Sequence, residues 1–358
     1  MGWNKKNKNT FVLAAVLACI LSGRAAAEPG VNANEIILGQ AAGFTGSVAG
    51  TVKELTAGAK AYFDRVNATG GVHGRKVVLE SLDDGFDPKR TPEVVKKLID
   101  EKQVFALFLS RGTPTNEAAY PVLEEAKVPL VGPSTGAMSM YDPPRRYLFP
   151  VRPSYHSETA KIVAQLVSTG INRIAVFHTE DSFGKDGLTG TLNAMKSRGL
   201  APVVVASHAR GTVNVDEAVA AIAKSEPQAV IMVTVLDAGV AFIKGLGEDG
   251  HGVAVSQVSP YPFSRTMPIT QEFHEAIKGR QDVAPSYASM EGFIAAKVMV
   301  EGLRRAGPRP TREKLVAALE SMQRLDLGGV GVTYGRQNRT GTQYIDLTII
   351  NRAGMFVR

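Results

Sequence analysis

The chain has 358 residues, with 41 lysines and arginines against 34 aspartates and glutamates, six histidines and a single cysteine. That length exceeds what one hydrophobic core usually holds, so two domains are expected, and a lone cysteine excludes an intramolecular disulfide framework or a cysteine metal site. The formal charge of +7 carries no nucleic-acid signal: four of the basic residues lie in the first 27, which hold no acidic ones, and the remainder stands at +3 with its charges interspersed.

Lys5, Lys6 and Lys8 precede the apolar run 11–21, and Ala25-Ala26-Ala27 follow before Glu28. These are the three regions of a secretory signal with small-residue cleavage, so 1–27 is expected to be a signal peptide. The eleven apolar residues of that run fall short of the roughly 20 that a membrane span needs. Cys19 lies inside the run. A lipoprotein would make it the anchored first residue, but Val16-Leu17-Ala18 matches that lead-in poorly.

Beyond the signal, strands and helices alternate. Residues 35–42 form a first buried strand that ends at Gly43-Phe44-Thr45-Gly46-Ser47; a helix over 52–67 carries Leu55, Ala59, Tyr62, Phe63 and Val66 at helical spacing and stops at Gly70-Gly71. Strand 76–82 runs into Asp83-Asp84, whose adjacent carboxylates must point to opposite faces and so make no catalytic pair. Thr91-Pro92 then opens a helix to 101 with a cap and a proline in its first turn. The unbroken apolar run 105–109 predicts a strand buried on both faces, hence a helix-covered parallel sheet. Arg111-Gly112-Thr113-Pro114-Thr115 follows and starts another helix. After it the short strand 129–131 enters Gly132-Pro133-Ser134-Thr135-Gly136. Two hydroxyl- and glycine-rich loops thus leave the same end of adjacent parallel strands, the end at which open α/β sheets bind ligands. Thr113, Ser134 and Thr135, with free N–H groups at glycines and a helix N-terminus, suit a small anion such as a carboxylate; each of the three also serves as an ordinary cap or turn residue.

The order repeats after the proline-rich stretch 141–146: helix 155–169, strand 173–178, loop 179–184, helix 185–198, strand 203–207, helix 215–224 and strand 229–235. Strand 253–258 leads to Pro260-Tyr261-Pro262, which returns the chain to the first lobe. Two amphipathic helices, 289–306 and 311–321, clad that lobe, and 344–351 with 355–357 forms a hairpin. The expected fold is therefore two doubly wound α/β lobes joined by a hinge, the first from 28–150 and 261–340, the second from 151–260 and 341–358.

The segments IILGQAAGFTGSVAG, NATGGVHGRKVVLESLDDGFDP, GTPTNEAAYPVLEEAKVPLVGPSTGA, RIAVFHTEDSFGKDG and SYASMEGFIAAKVMVEGLRRAG, in this order and spacing, resemble the type I periplasmic substrate-binding proteins of ABC transporters, in the leucine/isoleucine/valine-binding branch. The resemblance covers almost all of the chain beyond the signal. It implies a ligand clamped between the lobes by hinge closure, delivery to an ABC permease, a periplasmic monomer, and neither cofactor nor metal. Carried over by position, the first lobe would bind the ligand carboxylate through Gly112, Thr113, Ser134, Thr135 and Gly136. Phe183 would supply the second lobe's aromatic contact, and equally reads as a core aromatic. Asp237 is a weaker pocket candidate whose preferred role is a helix cap.

One departure stands out. Between 242–244 and 250–253 members of the family usually carry a further strand, a loop into the cleft and a helix, and that loop commonly holds the acid for the ligand's amine. Here only five residues connect the two. A ligand with a carboxylate and an apolar body, with or without an amine, follows, together with a narrower second sheet whose exposed edge lowers that lobe's stability or pairs with another chain. Two other readings are a sensor module with the same cleft and a dinucleotide-dependent enzyme. The second rests on Gly245-x-Gly247-x-x-Gly250, which follows a helix instead of a strand and so lacks the context of that fingerprint. The six histidines show no metal-ligand spacing.

Overall fold

The computed structural model describes residues 28–247 and 252–350 and the backbone of 356–357; the expected signal and Cys19 lie outside them. Its first lobe is built on β1 (Glu35–Ala42) and β2 (Lys76–Asp83), which pair in parallel over their full length, with β3 (Ala106–Phe108), β4 (Leu130–Val131) and β5 (Leu148–Phe149) completing the five-stranded order β2-β1-β3-β4-β5. β3, β4 and β5 are buried at every position, as the uninterrupted apolar runs require. Between the strands run α1 (Ala49–Ala68), α2 (Thr91–Asp100) and α3 (Thr113–Glu125).

Thr91 does not cap α2, contrary to expectation. It is already helical, and its hydroxyl donates to Asp84 Oδ2 (3.0 Å) and to the Asp87 carbonyl (2.9 Å). Asp83 and Asp84 do diverge: Asp83 accepts from the N–H of Phe44 and from the Thr45 hydroxyl, while Asp84 accepts from the N–H of Phe86. Burial raises the Asp84 carboxyl above its ordinary range. At Asp83 burial pushes the same way, but the bonds from Thr45, Gly85 and Phe44 together outweigh it and hold the carboxyl low.

The second lobe opens with α4 (Tyr155–Ser168), capped by Ser154, and β6 (Ile174–Thr179), buried throughout. α5 (Ser182–Lys196) begins three residues before the sequence places it. Asp181 accepts from the N–H of Gly184 at 2.9 Å, so the stretch expected to be loop is a cap and a first helical turn. β7 (Val205–His208), α6 (Asp216–Lys224), β8 (Ala229–Val233) and α7 (Leu236–Leu246) follow. Asp237, expected to cap α7, sits instead in its first turn, exposed, behind Val235 at the cap position. β7-β6-β8 form one three-stranded parallel sheet. Phe177 of β6 stacks on Phe242 of α7, with ring centroids 4.2 Å apart and planes at 13°.

β9 (Ala254–Gln257) does not join that sheet. It pairs antiparallel with β13 (Asp346–Ile350), which pairs in turn with β14 (Phe356–Val357), the expected hairpin. Between them in the chain lie α8 (Pro268–Ile277), α9 (Tyr287–Ala306), α10 (Arg312–Glu320) and a small antiparallel sheet of β10 (Leu325–Asp326), β11 (Gly331–Gly335) and β12 (Asn338–Thr342). α9 lies directly on α1. A Cβ on Gly58 would come within 1.8 Å of the Ser289 carbonyl oxygen, and one on Gly292 within 1.9 Å of that of Leu55, so these glycines let two helix backbones touch. The first lobe's main core, with Phe63, Phe108, Phe149 and Phe293, forms around this contact.

Candidate functional site

In both lobes the loops that follow the parallel strands approach one another. In the first lobe β3 and β4 are continued by a backbone zip: the Ser134 N–H donates to the Ser110 carbonyl (2.7 Å) and the Gly112 N–H to that of Ser134 (3.3 Å). This zip brings Thr113, the first residue of α3, to Thr135. Their hydroxyl oxygens lie 2.6 Å apart, both fully buried, and Thr135 Oγ1 also accepts from the N–H of Ala137. A pair of hydroxyls at the head of a helix, whose first N–H groups have no partner within it, is a natural seat for an anion.

Ser134 is placed differently. Its hydroxyl donates to Glu291 Oε1 (2.9 Å) and accepts from Arg111 Nη1 (2.8 Å), forming a partly buried relay that ties the loop to α9. Gly136 serves the backbone: its carbonyl accepts from the Tyr155 N–H at 2.7 Å, and a Cβ there would lie 2.8 Å from that nitrogen.

Tyr155, which the sequence reading passed over, is the link to the other lobe. Its ring meets that of Phe183 edge to face, with centroids 5.2 Å apart and planes at 66°. Phe183 is half-buried in the first turn of α5, so Thr113, Thr135, Gly136 and Phe183 converge on one region, whereas the described contacts do not join Asp237 to them. The signal for Tyr155 was its position just inside a helix that opens Ser154-x-x-Ser157. Facing these groups, the ends of β6, β7 and β8 bring together Thr179, His208 and Thr234; His208 Nε2 lies 3.0 and 2.7 Å from the two hydroxyls. Burial lowers the His208 imidazole below its ordinary value. Leu236, in the first turn of α7, is 72% exposed.

The lobes also touch through charged groups. Arg210, beyond β7, donates from Nη2 to the Phe86 carbonyl of the first lobe at 2.9 Å, and its guanidinium carbon sits 4.3 Å from the Phe86 ring centroid. Asp181 holds the same arginine through Nη1 at 2.6 Å. The Phe86 ring is packed so close to Gly112 that a Cβ there would lie 2.4 Å from it, and Gly112 has φ 98°. Asp186 of α5 accepts from the Met138 N–H at 3.0 Å, with His156 Nε2 3.7 Å away; burial raises its carboxyl. At the crossing, Arg152 pairs with Glu158 at 2.6 Å and lies 3.9 Å from Glu291, and Ser256 of β9 donates to Glu158. Burial opposes the arginine's charge, but the two carboxylates outweigh it and raise its pKa.

The sequence profile of the family described as "Periplasmic binding protein" matches residues 35–257 and 244–354. Leu/Ile/Val-binding protein homolog 8 of Brucella abortus is 23% identical over 336 residues, covering 82% of this chain and 83% of its own. Among solved structures, a substrate-binding periplasmic protein from Ralstonia solanacearum is 33% identical with a TM-score of 0.84, covering 90% of this chain and 99% of that one. A possible leucine/isoleucine/valine-binding protein from Rhodopirellula baltica is 26% identical with a TM-score of 0.83, covering 92% and 97%.

Proposed function

Since the chain belongs to the type I periplasmic binding proteins of the Leu/Ile/Val-binding family, and so binds a substrate instead of transforming it, we propose that it captures a small carboxylate with an apolar body and delivers it to an ABC permease. The Thr113–Thr135 hydroxyl pair at the head of α3 supports this reading above all, because it is an anion seat facing aromatic and apolar groups, Phe183 and Tyr155, at the lobe boundary. The acidic side chains around it already have partners: Asp181 holds Arg210, Asp186 takes the Met138 N–H, and Glu291 takes the Ser134 hydroxyl. These three carboxylates are thus engaged and Asp237 has no described contact with the seat, which supports deaminated branched or aromatic carboxylates as ligands over the amino acids themselves. The expected signal in 1–27 would export the protein to meet them.

Closure follows from differential affinity: a ligand bridging both lobes stabilises only the closed form. A thermal-shift and calorimetric panel should set leucine, isoleucine and valine against their 2-oxo and deaminated analogues and against benzoate and phenylacetate. A true ligand at about 100 times its Kd stabilises the native state by roughly 2.7 kcal/mol, and Thr113→Val should remove most of that gain. Tight binding of the amino acids with none of the analogues would overturn the ligand class. A hit indifferent to Thr113→Val and Thr135→Val would overturn the site.

A further inference from the structure

The two lobes repeat one order of elements with a single omission. In the first, β3 is followed by α3, then β4, then β5, and β4 is bonded on both sides: the Leu107 N–H donates to the Pro129 carbonyl and the Leu130 N–H to that of Tyr147. In the second, among the described residues, β8 is followed by α7 and then by β9. Among the described residues β8 pairs only with β6, and β9 only with β13. A cavity of about 620 Å³ separates them where the counterpart of β4 would run. Ile162 and Leu166 of α4 line it on one side and Phe242 and Leu246 of α7 on the other, so it has the apolar faces of an interior strand position.

Its walls are backbone. The Ala229 N–H faces Arg173 before β6, so by alternation Val230 and Met232 turn their N–H and C=O groups to the cavity. On the far side the Val253 carbonyl bonds Ile350, which turns Ala254 and Ser256 inward. Among the described residues one charged side chain lines the cavity, that of Glu226, exposed at the N-terminal end of β8. We propose that this slot is a docking site for an extended segment of another polypeptide, added as a parallel strand, with about four apolar residues preceded by one basic residue that meets Glu226. The chain's own β4 segment has that pattern, an exposed Lys127 ahead of the buried Val128-Pro129-Leu130-Val131, and so supplies the probe.

The test titrates the mature protein with acetyl-Lys-Val-Pro-Leu-Val-Gly-amide while following amide hydrogen exchange. Binding should protect Val230, Met232, Ala254 and Ser256 and leave the cleft loops unchanged. Val230→Pro deletes one slot-facing N–H at an open edge, where proline is tolerated, and should weaken the peptide about tenfold. A peptide with glutamate in place of lysine should bind Glu226→Lys better than the unchanged protein, a charge swap that decides the matter even if Val230→Pro does not fold. Absence of heat and protection at millimolar peptide, or indifference to both substitutions, overturns the proposal. So does a concentration-dependent dimer that Val230→Pro abolishes, since the occupant would then be a second copy of this chain.

Discussion

Replacing Arg210 by alanine should open the cleft and weaken ligand binding without unfolding either lobe. The guanidinium makes three contacts, of which the ion pair with Asp181 lies within the second lobe and survives opening. Only the bond to the Phe86 carbonyl and the stacking on its ring cross between lobes. A hydrogen bond from a charged donor contributes about 1.5–3 kcal/mol and an exposed cation–π contact about 0.5–1. With the arginine side chain 25% exposed, the lower ends apply and the sum is about 2 kcal/mol. The closing equilibrium should then fall by about 30-fold, and the affinity of a ligand that requires the closed form by a factor that rises toward about 30 the less the closed form is populated without ligand. Calorimetry with the best ligand of the panel reads the affinity, and small-angle scattering of the ligand-free protein reads the shift to a more open shape. Phe86→Ala completes a double-mutant cycle that isolates the ring contact, since the carbonyl remains. Unchanged affinity and unchanged scattering in Arg210→Ala would refute the reasoning, because the contact would then contribute nothing to closure.

Two further substitutions test the scaffold. Burial holds the folded pKa of His208 below the ordinary 6.5. As the pH falls below about 6.5 the unfolded chain takes up a proton that the folded chain refuses, and stability drops until the folded pKa is reached. Thermal melts of His208→Gln between about pH 7 and 5 should therefore show a shallower loss than the unaltered protein; equal slopes would mean that the ring does not titrate in this window. Gly292→Ala should force α9 off α1, since the added methyl would lie 1.9 Å from the Leu55 carbonyl oxygen. A cost of about 3 kcal/mol, at the upper end for overpacking, should lower Tm by several degrees in calorimetry, and an unmoved Tm would contradict the packing.

The parallel strands were legible because burial on both faces leaves an unbroken apolar run, as in 105–109, and nothing local competes with that signal. The small sheet of β10, β11 and β12 was not. Its strands are two to five residues long, β11 and β12 both contain glycine, and their stability comes from contacts such as the Tyr334 hydroxyl with the Pro150 carbonyl, far away in sequence. The start of α5 was misplaced for a different reason. Asp181-Ser182-Phe183-Gly184 has the composition of a turn, and only the Asp181 cap shows it to be a helical one. At the site, loop composition pointed to Thr113 and Thr135, but could not tell which hydroxyls a neighbour already occupies. Ser134 looks equivalent to Thr135 until Glu291, 157 residues on, is placed beside it. Arg210 and Phe86, 124 residues apart, carry no local mark at all.

The short connection after α7 raises the question of why a missing strand does not cost the second lobe its half of the cleft. The answer lies in which ends of the strands are used. Thr179, His208 and Arg210, with Thr234 beyond β8, stand at or just past the C-terminal ends of β6, β7 and β8, and these three strands pair with each other along their lengths. The cavity left by the absent strand is lined instead by residues along β8 as far as Met232 and by the start of β9, and its apolar faces belong to α4 and α7. β9 keeps its own anchorage through β13 and through the Ser256 hydroxyl on Glu158, which Arg152 ties to the crossing. The omission therefore removes hydrogen-bonding partners from the outer edge of β8, while the residues facing the first lobe stay held by the β6–β7 and β6–β8 pairings it never supplied. The same geometry makes the two proposed sites separable, since a strand added between Val230 and Ala254 would touch none of the groups that seat the carboxylate.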